Sequence, residues 1–232
     1  MNIRAIRRHI DSIRGVLTDT ERAELDRLMQ KHDRANALAV HAENAVQTVA
    51  QTVADSLTSD AGDADIIEAA AKVPDVASLK LVADWVARAS EREARNLAAG
   101  KRADLVQMFN AEFDAIRKEA AKVLPAVLQL ESASDAIRAG KAKEWARVED
   151  LYAEHKSLRR EVDSLRSDGL LPAFKGHDGY GTWKHPEPAP RYSDLPEFRR
   201  FADDLRREAY VPADQAEVDR VRAADQEAAR VG

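Results

Sequence analysis

A chain of 232 residues with 33% charged and only 5% aromatic residues argues against a compact apolar sphere, and the absence of cysteine excludes disulfides, thiolate catalysis and cysteine-ligated metals. The net charge is −5 with acids and bases interleaved, so no global field recruits nucleic acid or an anionic membrane. No run approaches the roughly 18 apolar residues of a membrane span, and no apolar leader follows the start; the chain is expected to stay in the cytoplasm or in a virion.

Ile3, Ile6, Ile10 and Ile13 fall at 3-4-3 spacing, which predicts a short helix stopped at Gly15. Thr18 with Glu21 reads as a capping box that opens a long second helix. Along it Leu25, Leu28, His32, Ala35, Ala39, Ala42, Val46, Val49 and Val53 alternate by three and four, the pattern of a coiled-coil seam. Its alanines would let a partner helix approach closely. The stretch "SDAGDAD" (59–65) ends this element, and Pro74 precedes a helix expected over 75–99.

A second seam runs through Phe109, Phe113, Ile116, Ala120, Val123, Val127, Leu130, Ser134 and Ile137 up to Gly140. Pro125 lies off that seam and should kink or divide the helix, with the stripe surviving on both sides. After Gly140 the stripe resumes as Val148, Leu151, His155, Leu158, Val162 and Leu165, preceded by Trp145. Two striped helices joined by a glycine turn make an antiparallel helical hairpin. Residues 169–196 then hold four of the nine glycines and five of the eight prolines, together with Phe174, Tyr180, Trp183 and Tyr192. A linker is normally poor in aromatics, so this arm is expected to lie in a groove, either of its own chain or of a neighbour. Asp194 can cap a helix carrying Phe198, Phe201 and Leu205, and Pro212 opens a last weakly apolar helix around Val218 and Val221.

No apolar–polar alternation bounded by turns is present, so the class is all-α: an elongated helical bundle or coiled coil with a helical hairpin, an irregular arm and short C-terminal helices. The expected organisation is 1–58 for the basic helix and long helix, 59–74 for a linker with a short helix, 75–168 for the hairpin bundle, 169–196 for the arm and 197–232 for the C-terminal helices.

The common phosphate-loop, dinucleotide, serine-hydrolase and zinc-protease signatures are absent, and no Glu-x-x-His pair offers an inward di-metal site. No enzyme activity and no cofactor are expected. His32 and His155 sit at seam positions, where a polar residue sets register; His177, Asp178 and His185 form the one cluster worth testing for a metal. Tyr210 and Asp214 share a Y-x-x-x-D/E spacing with helical substrates of type VII secretion, without the companion W-x-G turn, and define no family.

The expected function is structural: an assembly protein, for example of a phage virion or a bacterial scaffold, that binds itself or another protein of the assembly through helix seams. Phe174, Tyr180, Trp183, Tyr192, Phe198 and Phe201 are the candidate docking anchors. Leu25, Leu28, Val46, Val49, Val53, Phe109, Phe113, Ile116, Leu158, Val162 and Leu165 are the seam. The alternative is a nucleic-acid-associated protein whose N-terminal helix meets phosphate through Arg4, Arg7, Arg8 and Arg14. A secreted helical effector, or an enzyme of unrecognised type, is the second alternative. "RRFADDLRRE" (199–208) balances its arginines with Asp203, Asp204 and Glu208 and reads as a solvated face.

Overall fold

The Thr18 capping box forms: the Thr18 amide donates to Glu21 Oε2 at 2.9 Å, and the Glu21 amide donates back to Thr18 Oγ1 at 3.3 Å. It opens one of the helices of a computed structural model that describes residues 3–56, 62, 67–68, 71, 77–174, 182–186 and 197–231. In chain order these are α1 (Ile3–Arg8), α2 (Ile10–Gly15), α3 (Asp19–Ser56), α4 (Ala77–Gly100), α5 (Arg102–Val123), α6 (Ala133–Arg138), α7 (Ala142–Ser167), α8 (Glu197–Arg207) and α9 (Gln215–Val231). The fold is all-α, and among the described residues there is no strand beyond one antiparallel bridge between Trp183 and Ala209. The chain divides into two compact units, Asn2–Ala99 and Gly100–Gly232.

In the N-terminal unit α1 and α2 are one helix interrupted at His9, and they run antiparallel to α3. Arg7 pairs with Asp33, and Arg14 with Asp26. Glu43 of α3 meets Lys80 of α4 at 3.2 Å, while Arg27, further up α3, feels Glu93 further down α4, so these two helices are antiparallel as well. Ile6, Ile13, Leu17, Leu25 and Leu28 form the bulky end of the core. Toward the other end both helices bury small side chains, Ala35, Ala39 and Ala42 on α3 and Ala83 and Ala87 on α4, and the small row of α4 continues through Ser90, Ala94 and Ala98 toward the bulky end. Small knobs let helix axes approach closely. The seam residues Val46 and Val49 are only half-buried, and the side chain of Val53 lies outside the described residues.

In the C-terminal unit α5 and α7 pack antiparallel. Arg147 forks onto Glu119 at 2.7 and 2.8 Å, the ring of His155 meets Phe113 at 5.7 Å, and Arg102 Nε donates to the Leu170 carbonyl at 3.2 Å. Phe109, Phe113, Ile116, Val162 and Leu165 are buried in this pair, with Leu158 half-buried at its edge. Pro125 divides the helix, as its missing amide requires: α5 ends at Val123 and a 3-10 turn follows over Leu124–Ala126.

The apolar stripe survives that turn as far as Val127, which is buried, and Leu130, which packs against the core, and is lost at Ser134 and Ile137. Ile137 is 68% exposed and Ala136 is buried in its place. The irregular residues between the turn and Ser132, which caps α6 by accepting from the Asp135 amide, rotate the new helix out of register with α5.

Gly140 follows α6 at φ +68°, where the Lys141 amide reaches the Ala136 carbonyl at 2.7 Å in a Schellman closure. Nothing would touch a Cβ added there, so the strain of a substitution is purely conformational. Gly140→Ala is expected to destabilise the C-terminal unit by about 1 kcal/mol in urea unfolding, with no change in the helix content of the native state.

Candidate functional site

The arm closes on its own chain where it is described. The Tyr210 amide donates to the Thr182 carbonyl, Lys184 to the Glu208 carbonyl and His185 to the Arg207 carbonyl, all within 3.1 Å, which holds 182–186 as a strap along the segment after α8. Trp183 is 5% exposed, with the guanidinium carbons of Arg159 and Arg207 each 4.4 Å from its ring centre. Phe201 is fully buried against Tyr152 and His155, and Phe198 stacks on Trp145 at 4.4 Å between ring centres. These three anchors are therefore spent inside the C-terminal unit. Latching onto a neighbour would require them to leave it. Phe174 is half-buried at the start of the arm; Tyr180 and Tyr192 lie outside the described residues.

The charged face read over 199–208 is corrected in part. Asp204 is buried and meets Arg159 at 3.4 Å, and Glu208 pairs with Arg117 and with Lys184, the latter at 3.2 Å. These ion pairs fix α8 and the strap to α5 and α7. Asn110 adds a clamp that sequence reasoning missed: its amide donates to the Val211 carbonyl at 3.0 Å, and its Oδ1 accepts from the Val211 amide at 2.7 Å. A mid-helix asparagine has no periodic signature, so the sequence carries no sign of this role.

His155 sits at the centre of this cluster, ringed by Phe113, Phe201 and Trp183, and among the described residues its Nδ1 finds no hydrogen-bond partner. Burial, helped by the nearby Arg159 charge, pushes its pKa down to about 4, so the ring is neutral at neutral pH. The cleft beside it has a volume of about 10 Å3, room for about one water and no substrate. His177 and Asp178 of the proposed metal cluster lie outside the described residues, while His185 Nδ1 stands 2.6 Å from Asp225. Among the described residues no group of three or more metal-ligating side chains converges. Tyr210 of the secretion-like spacing is buried, and Asp214 instead caps α9, accepting from the Glu217 amide at 2.8 Å; that helix starts at Gln215, after Pro212.

The N-terminal arginines are partly neutralised. Arg7 and Arg14 are held by Asp33 and Asp26 of α3, and Arg4 and Arg8 are exposed. The N-terminal face is thus weaker as a phosphate-binding surface than four unpaired cations would be. No described helix is long and apolar enough to cross a membrane.

Among the described residues a group of exposed apolar side chains open to a partner lies on α4, and none of its residues was singled out from the sequence. This helix buries its small residues and exposes its large ones. Leu81 is 72%, Val82 58% and Trp85 67% exposed, on the side roughly opposite Ala83, Ala87, Ser90 and Ala94. Beside them Leu38 of α3 is also exposed. Arg27, Gln30, Lys31, Arg34, Ala35 and Leu38 of α3 face Val82, Ala83 and Val86 of α4 across an open groove of about 410 Å3. A signal did exist in the sequence: Leu81, Trp85, Arg88 and Arg92 keep 4-3-4 spacing, offset from the alanine row. Two rows on one helix mean two faces to cover.

Comparison with known protein families, with curated proteins and with solved structures finds no match to this chain.

Proposed function

We propose that this protein is a non-enzymatic assembly component that works by docking on another protein through the outward face of α4. The observation that carries this reading is the exposed apolar row Leu81, Val82 and Trp85 with Leu38 beside it. Singly exposed apolar side chains are ordinary, but a contiguous group with a tryptophan at its centre is the composition of an interface hot spot. A structural role in a virion or a bacterial scaffold is a setting in which such a face would serve.

The test is a photoreactive amino acid placed at position 85 in the cells that make the protein, with the same group at the exposed Lys118 as control. Discrete protein adducts from position 85, lost on Leu81→Asp and not formed from position 118, are the expected result. Adducts that are absent, or equal from both positions, overturn the reading.

A further inference from the structure

The lining of the groove beside α4 carries charge of one sign only. Of the residues lining the groove, Arg27, Lys31 and Arg34 are cationic and none is acidic. Glu24 occupies Arg27, both guanidinium contacts lying within 2.7 Å, and the same carboxylate feels Lys31. Arg34, Arg88 and Arg92 form no ion pair with any described residue, and all three are exposed. Arg88 and Arg92 extend the row of Leu81 and Trp85 by one and two turns. The surface is therefore apolar at one end, cationic at the other, and concave between the two helices.

We infer that the occupant of this groove is an amphipathic α-helix of another protein, presenting an apolar ridge flanked by Asp and Glu; the inference rests on the docking role proposed for α4. Three features select that occupant. Two antiparallel helices form a trough, and a third helix with apolar residues at i, i+3 or i+4, and i+7 fits its length of about two to three turns. The lining cations lie on the α3 wall, where Lys31 and Arg34 are exposed, while Arg88 and Arg92 stand outside the groove on the row of Leu81 and Trp85, so carboxylates along the flank of the ridge that meets α3 find partners. Self-association through the same patch is disfavoured, because a two-fold contact brings the cationic ends of both copies into one interface. A single lipid chain would fill the groove but leave Leu81 and Trp85, which do not line it, still in water.

The test uses the full chain and three probes. One is a labelled 18-residue helical peptide with leucine at i, i+3 or i+4, and i+7 and glutamate on both flanks. The second has lysine at every glutamate position, and the third is a phosphatidylglycerol vesicle. Anisotropy titration is expected to show binding of the glutamate peptide that weakens as salt rises, and at least tenfold weaker binding of the lysine peptide. Trp85→Ala, and separately Lys31→Glu with Arg34→Glu, should each weaken the glutamate peptide at least tenfold with the circular dichroism unchanged, since all three side chains are exposed.

The inference is overturned if the glutamate peptide does not bind, binds no better than the lysine peptide, or is indifferent to Trp85→Ala. It is also overturned if the chain takes the vesicle and not the peptide, which assigns the face to a membrane. Adducts from position 85 that persist while the glutamate peptide fails would leave the docking role standing and remove only its acidic partner.

Discussion

Trp183→Ala is expected to destabilise the C-terminal unit by about 3–5 kcal/mol, the range for removing a large aromatic from a packed interior. The indole is nearly fully buried and spaces two guanidiniums on its faces. Deleting it opens a cavity and leaves Arg159 and Arg207 without the ring that shields them from one another. The strap loses its only large apolar anchor among residues 182–186, so its hydrogen bonds to Arg207, Glu208 and Tyr210 are left to hold it alone. Trp145 remains in the same unit to report unfolding in urea. Trp85→Ala is the matched control: a tryptophan two-thirds exposed should change stability by no more than about 0.5 kcal/mol, the usual span for surface positions. Near-equal costs for the two substitutions would mean that the strap does not close on its own chain.

The second large effect is in acid. His155 is neutral in the folded protein down to a pKa of about 4, whereas in the unfolded chain an imidazole takes its proton near 6.5. Between those values the unfolded state binds a proton that the native state refuses, so stability is fully present above about pH 6.5 and falls as the pH drops toward 4. The loss amounts to about 3 kcal/mol for this one group, at 1.36 kcal/mol for each pKa unit.

Arg159 on the same helix, and Asp114, Arg117, Asp204 and Glu208 from the elements packed against it, surround the ring. Those carboxylates also titrate at the acid end, so the comparison that isolates His155 is with a side chain that cannot protonate. His155→Gln should lose about 2–3 kcal/mol less than the wild type between pH 7 and pH 4 in urea unfolding. Parallel pH profiles would show that the ring is not held neutral by burial.

Much of the secondary structure was legible because it rests on local chemistry. The Thr18 box, the break at Pro125 and the glycine closure at Gly140 follow from one or two residues each. The apolar rows of α3, α5 and α7 follow from a 3.6-residue period. Register beyond a break is another matter. Ile137 keeps heptad spacing with Phe113 along the sequence, yet residues 127–132 between them are not helical, so counting in heptads across them has no geometric meaning.

What the tertiary structure alone decided is which faces find each other. Composition and spacing determined an all-α chain with striped helices and an aromatic arm, because propensity, capping and periodicity act between residues close in sequence. They did not determine that the arm's tryptophan is consumed at home, since an aromatic in irregular chain has the same signature whichever groove receives it. Nor did they determine that α4 packs its alanines inward and leaves Leu81, Val82 and Trp85 outward. A helix with two apolar rows can bury either one. The choice falls to the partner surface, and the alanine rows of α3 and α4 meet because small side chains on both helices permit the close approach that a tryptophan would prevent.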